Sequence, residues 1–217
     1  LTVALGMYGS NSKNYGDGFT NMYGANHEDI AYSYRMDNHG KGSWYSINGN
    51  IDYQRTSRKN KQRMITFSYK INTQPQTSNS YNTYKDIYPE DEMEELVKRL
   101  LLRNYHSDGK TNTMEQTFQV DYTTPIGKLH TIEVGAKYIF RRNTSDNKLY
   151  EASGGSEDYL YNEDRSSDYR HLNHILAAYL GYTLKYKDFT FKPGMRYEQT
   201  IQRVKYIVGP GENFHTN

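Results

Sequence analysis

The chain has 217 residues, 27 basic against 25 acidic side chains for a net charge of +2, and no cysteine. Only 35% of residues are hydrophobic, yet 14% are aromatic, with 23 tyrosines and one tryptophan. This balance excludes disulfides and cysteine-ligated metals, supplies no basic block for nucleic acid, holds no apolar run of membrane-helix length, and is too aromatic for disorder.

The opening LTVALGMYG sets Leu1, Val3, Leu5 and Met7 against Thr2, Ala4, Gly6 and Tyr8. That is period two, the repeat of a strand with two unlike faces. Residues 10–41, which include GDGFTNMYG and EDIAYSYRMD, read as an external loop region with a strand excursion. From Trp44 to Gln54, Tyr45, Ile47, Gly49, Ile51 and Tyr53 share one side; from Met64 to Asn72, Ile65, Phe67, Tyr69 and Ile71 do the same. The polar run SRKNK between them has hairpin-turn chemistry.

Residues 73–112 read as a long external loop with a helix near residues 90–103. Pro89 followed by acids, with Lys98, Arg99 and Arg103 toward the end, complements a helix dipole. Met93, Leu96 and Leu100 supply an apolar stripe. Phe118, Val120 and Tyr122 mark the next strand, and Pro125-Ile126-Gly127-Lys128 a tight turn.

The clearest strand, Leu129 to Arg142, sets Ile132, Val134, Ala136, Tyr138 and Phe140 against Thr131, Glu133, Gly135, Lys137 and Arg141, with Ile139 as the exception. Residues 143–168 form a third expected external loop, and its SGGS run lacks the residues of a phosphate cradle. From Leu172 to Lys187, Leu176, Ala178, Leu180, Tyr182, Leu184 and Tyr186 face one way, and Lys187-Asp188 turns the chain. The last strand places Phe189, Phe191, Met195, Tyr197 and Ile201 on one side; Pro193 within it predicts a bulge or bend.

Short and long gaps alternate, as in a barrel with tight periplasmic turns and extended external loops. Together these features predict an all-β fold, an antiparallel transmembrane β-barrel present in part, with about seven to nine strands of a larger barrel and one short loop helix. The apolar face then meets lipid, and Glu133, Lys137, Arg141, Lys185, Lys192, Arg196 and Glu198 face the lumen. Tyr53, Tyr122, Tyr186 and Phe189 lie beside short turns, where an aromatic girdle belongs. The competing architecture is a soluble all-β sandwich or barrel, acting as a ligand-binding or adhesion module with the charged face in water.

The segments YTTPIGKLHTIEVGAKYIFRRNTSDNKLY and ILAAYLGYTLKYKDFTFKPGMRYEQT resemble the outer-membrane β-barrel family related to TonB-dependent receptors of Bacteroidota. The marks are the turn Pro125, Ile126, Gly127 and Lys128, the pattern Gly135, Lys137 and Tyr138, and the element Gly194, Arg196, Tyr197, Glu198 and Thr200. The resemblance covers about Ser43 to Arg203 and implies a Gram-negative outer-membrane location. It implies a parent receptor with a signal peptide, a periplasmic TonB-contacting segment, a plug and about 22 strands. Partners would be outer-membrane lipid, the rest of that barrel and plug, and TonB through segments absent here. A start at Leu1 without a signal peptide reads as a processed or excised piece. The nutrient would be a chelated metal, a glycan or a peptide.

External-loop tyrosines Tyr81, Tyr84, Tyr88, Tyr159 and Tyr161 are the candidate ligand contacts, with ordinary loop packing as the other reading. His171 and His174 fall on opposite faces by parity, so no metal site is expected from that pair. Acid clusters at residues 90–95 and 157–164 suit calcium or plain solvated charge, and neither has an EF-hand pattern. No nucleophile, base and orienter can be assembled. The expectation is therefore a chain that is not an enzyme and needs no cofactor.

Overall fold

The alternating segments are the central parts of much longer strands. The computed structural model describes residues 1–216; Asn217, the last residue of the expected single domain, lies outside the described residues. Its strands are β1 (Thr2–Tyr23), β2 (Ile30–Thr56), β3 (Met64–Tyr88), β4 (Arg103–Ile126), β5 (His130–Ser153), β6 (Leu160–Tyr186), β7 (Phe189–Phe191), β8 (Gly194–Val208) and β9 (Phe214–Thr216). They form one nine-stranded antiparallel meander in chain order, with β6 pairing both β7 and β8. This is the partial barrel expected from the alternation.

Register turns the one-strand pattern into a two-dimensional one. Directly paired residues share a face, and the pairing aligns Val3, Ile51, Tyr69, Phe118, Tyr138 and Leu176 in one row across β1 to β6. A neighbouring row runs Tyr53, Phe67, Val120, Ala136, Ala178 and Tyr197. Such side chains would be half-buried in a soluble sheet, but here Val3 is 64% exposed and Leu176 48%. Among the described residues no second layer covers this face. The expected girdle residues Tyr53, Tyr122, Tyr186 and Phe189 all lie on it.

The long loops differ from expectation. Residues 10–41, 73–112 and 143–168 are mostly strand, because the ladder continues well past the apolar rows: Thr73 pairs Met114, Ser80 pairs Ser107, and Asn147 pairs Ser167. The true connections at that end are residues 24–29, 89–102, 154–159 and 209–213; those at the other end are 57–63, 127–129 and 187–188. Alternation in length therefore comes from strand overhang more than from loops. The overhang escapes a hydropathy reading because both its faces are polar.

Among the described residues, only 89–102 hold a helix. A 3-10 turn, Glu90–Glu92, leads into α1 (Met93–Leu100), which ends at Leu101 in the left-handed conformation (φ 53°) with the Leu102 N–H closing on the Val97 carbonyl at 3.1 Å. Leu96, Val97, Leu102 and Ile87 form a small buried core there, packed by Tyr32, Tyr34 and Tyr84.

Pro193 interrupts the last strand, and of the bulge or bend expected there no bulge forms. Leu184 pairs Phe191 and Gly181 pairs Gly194, so no residue is gained or lost across the break. The proline lacks an N–H but still accepts one, from Tyr182 at 3.0 Å.

Ala178 sits exposed near the middle of the apolar rows. Ala178→Arg is expected to cost about 2–4 kcal/mol in urea unfolding of the full-length protein from lipid vesicles, whereas Lys137→Gln on the other face costs under about 0.5 kcal/mol. Equal effects at the two positions would refute lipid contact at Ala178.

Candidate functional site

Opposite the apolar face, β-strand parity gathers polar side chains from every long strand. All seven charged residues read from the sequence lie there: Glu133, Lys137 and Arg141 on β5, Lys185 on β6, Arg196 and Glu198 on β8, and Lys192 just before it. In a barrel with lipid against its apolar side, this is the lumen wall. Carboxylates neutralise part of it across strands. Arg141 reaches from β5 to Glu115 of β4, with Nε donating at 2.8 Å; Lys192 lies 3.1 Å from Glu133. Arg196 pairs along its own strand with Glu198 at 2.5 Å. Lys137 and Lys185 form no ion pair among the described residues.

Asp121 was missing from that set and joins two neighbouring side chains on the same face. Gln119 donates to it at 2.8 Å, and the Tyr179 hydroxyl donates to its other oxygen. Tyr179 must cross β5 to do so, and Gly135 is what lets it cross. A Cβ built on Gly135 would fall inside the Tyr179 ring, so the glycine is required by close approach rather than by its own backbone angles. Nearby, Asn48, Asn50, Asp52, Lys70, Asn72 and Glu115 line a polar depression of about 410 Å³ on the same wall. Glu115 and Lys70 share the parity of the charged face; the first lies one residue before the strand read from Gln116.

The five loop tyrosines do not form one site. Tyr81 and Tyr161 belong to a row on the outward face of the overhang, in which Tyr15, His39, Tyr81, His106, Tyr150 and Tyr161 are successive cross-strand partners. Tyr81 stacks on His39 at 4.7 Å and on His106 at 4.1 Å, the latter nearly parallel at 4°. Tyr159 folds edge-on against both Tyr81 (6.5 Å) and His106 (6.4 Å). Since ring faces are occupied by neighbouring rings, the row acts as a cross-strand clasp. Tyr84 instead packs edge-on against Tyr34 beneath α1, and Tyr88 is exposed at the strand end.

A buried amide ties the two ends of the overhang together. Asn104 accepts from the Tyr84 N–H at 2.7 Å and donates to the Ser156 carbonyl at 2.8 Å. Gly155, at φ 78°, donates to the Tyr84 carbonyl at 3.2 Å. Burial, then the charge of Glu157 and the neighbouring Tyr81, push the Tyr159 hydroxyl above its ordinary value.

His171 and His174 fall on opposite faces. His174 Nδ1 lies 2.7 Å from the Tyr138 hydroxyl on the apolar side, while His171 Nε2 is buried on the polar side without a hydrogen-bond partner among the described residues. Of the two acid clusters, Glu94 pairs with Lys98 at 2.8 Å on the exposed side of α1. Among the described residues no group of three His, Asp or Glu side chains converges on a common point.

Long strands, an exposed apolar face and a polar wall cross-linked by ion pairs define an outer-membrane β-barrel wall. Residues 56–217 match the model of the outer membrane protein beta-barrel family, and the chain belongs to that family. Its place is therefore the outer membrane, in contact with lipid. No curated protein matches the chain. Among solved structures, the ferric citrate transporter FecA in its unliganded form is similar over 94% of this chain at 14% identity, with a TM-score of 0.34. The match covers 38% of that transporter's length.

Gly135→Ala is expected to lower stability by about 1–3 kcal/mol in chemical unfolding, and to cost little in a Tyr179→Ala background, since the clash is with that ring. Additive losses would refute the dependence.

A raised tyrosine pKa favours the neutral hydroxyl in the fold, so its contribution is present below the unfolded value of about 10 and is lost as pH rises through the folded one. Hydrogen exchange at residues 154–159 should accelerate in this alkaline range, and less so in Tyr159→Phe. Identical alkaline profiles would remove Tyr159 as the cause.

Proposed function

We propose that this chain is a wall segment of an outer-membrane receptor for nutrient uptake, of the TonB-dependent type, in a Gram-negative bacterium. The observation that carries the reading is the two-faced wall: a lipid-compatible apolar face, and behind it a polar face with charged side chains, some of them joined in cross-strand pairs. Above the apolar rows the lumen face changes character. Ser12, Gly42, Ser78, Gly109, Asn147 and Ser167 make a row of small, uncharged side chains across six strands. Such a row leaves room for a large polar solute and offers hydroxyl and amide partners to it. Lower down, the unpaired cations Lys137 and Lys185 favour an anionic group on the solute.

On this reading the remaining strands and a plug belong to the parent chain, and contact with TonB is made through segments outside this sequence. The cargo is a chelated metal, a glycan or a peptide, too large or scarce for simple porins. The wall binds and guides it without catalysing any reaction. Tyr84, Tyr88 and the clasp that contains Tyr81, Tyr159 and Tyr161 then shape the mouth around the solute.

Uptake by cells producing the full-length protein, measured over a panel of ferric chelates, oligosaccharides and oligopeptides, tests the reading. Accumulation of one class should require the protein and stop when a protonophore collapses the inner-membrane gradient. Uptake that persists after collapse would make the protein a passive channel.

A further inference from the structure

The outward face carries a second feature, at the edge where the apolar rows end. There Arg142 of β5 pairs Leu172 of β6, which pairs Arg203 of β8; one row further along, Arg170 of β6 pairs Lys205 of β8. Adjacent strands lie about 4.8 Å apart and adjacent rows roughly 6.6 Å, so four cations share a patch roughly 10 Å across. All four are exposed, as is Lys110 of β4 beside them. None of the five takes part in an ion pair among the described residues. Two acids stand in the next row, Asp146 and Asp168, opposite each other and beside Lys110, and Asp146 lies 3.9 Å from Lys148. The patch stays net positive.

Its surroundings define what it can hold. Immediately on the membrane side runs the row Phe140, His174 and Ile201. Between these levels, Lys110, Arg142 and Arg170 join Phe140 and Leu172 around an outward-opening depression of about 870 Å³, whose far edge also carries Asp146 and Asp168. A molecule bound there meets aliphatic and aromatic surface below and guanidinium groups above, with the two carboxylates beyond them beside Lys110. Uncompensated like charges repel one another, and a phosphate accepting from several of them removes that cost. A soluble anion would meet the cations but leave the apolar side of the depression in water; a lipid meets both.

We infer that Arg142, Arg170, Arg203 and Lys205, with Lys110 at the margin, form a binding site for the phosphate of a membrane lipid, whose acyl chains lie along the apolar rows beneath. The site is on the outside of the wall and is separate from any solute path through the lumen.

The test uses full-length protein extracted in neutral detergent, stripped of lipid and titrated by native mass spectrometry. Three probes are compared: a bisphosphorylated diglucosamine lipid, the same lipid without phosphate, and inorganic phosphate as competitor. The phosphorylated lipid should bind at least about tenfold more tightly than its phosphate-free form. The Arg142→Gln/Arg170→Gln/Arg203→Gln variant should lose that margin, while Lys13→Gln/Lys41→Gln/Lys148→Gln, higher on the same face, keeps it. Arg142→Lys/Arg170→Lys/Arg203→Lys preserves charge and folding and should retain part of it; this variant and the comparison of the two lipids on unaltered protein stand even if the glutamine variant fails to fold. Equal affinity for the two lipids, or an unchanged margin in the glutamine variant, overturns the inference. Displacement of the lipid by inorganic phosphate at comparable concentration overturns the lipid assignment in favour of a soluble anion.

Discussion

Inside a bilayer a backbone N–H or C=O has no water to turn to, and this constraint organises the molecule. Each strand from β2 to β6 satisfies its groups through ladders to a neighbour on both sides, while β1 and most of β8 are paired on one side. The one proline in the apolar zone, Pro193, sits where its missing N–H breaks pairing locally while its carbonyl is still used by Tyr182. With backbone pairing settled by neighbours rather than by a core, side chains are free of the usual demand to bury. The wall therefore has a tiny buried core, under α1, and a wide exposed apolar face.

The same constraint explains why the polar face is so closely cross-linked. A sheet with no packed layer behind it depends on cross-strand side-chain contacts to resist shear. Arg141 with Glu115, Lys192 with Glu133, and Tyr179 with Asp121 each span two or more strands. Tyr179 skips a strand altogether, using the gap over Gly135. On the outward side of the overhang, where lipid no longer presses, the Tyr–His clasp takes over the same task.

Much of this was legible in the sequence wherever the two faces differ in polarity. Ile132 to Phe140 against Glu133 to Arg141 gave the strand, its two faces and the charged residues of one of them, because unlike surroundings on the two sides impose period two. Where both sides are polar the signal vanishes, so residues 73–88 and 103–112 read as loop although they are paired except at the irregularity of Asp86 and Ile87. Pairwise chemistry was also hidden. Nothing in the local sequence aligns His39, Tyr81 and His106, which are 42 and 25 residues apart and meet only through register. Asp121 looked ordinary until Tyr179, on a strand two places away, was found on it. Helix α1 was visible because its cues are local: proline, acids, an apolar stripe and terminal bases.

The overhang has a geometric consequence. From Arg142 to Ser153 the paired part of β5 continues for 12 residues beyond the last apolar row, which at the usual rise and tilt lifts its end roughly 25–30 Å above the lipid boundary. Residues 89–102 and 154–159 thus ride on a stiff collar instead of lying on the bilayer. A flexible loop of equal length would sample many heights and orientations. The collar presents one, and holds its rim at a fixed height above the membrane.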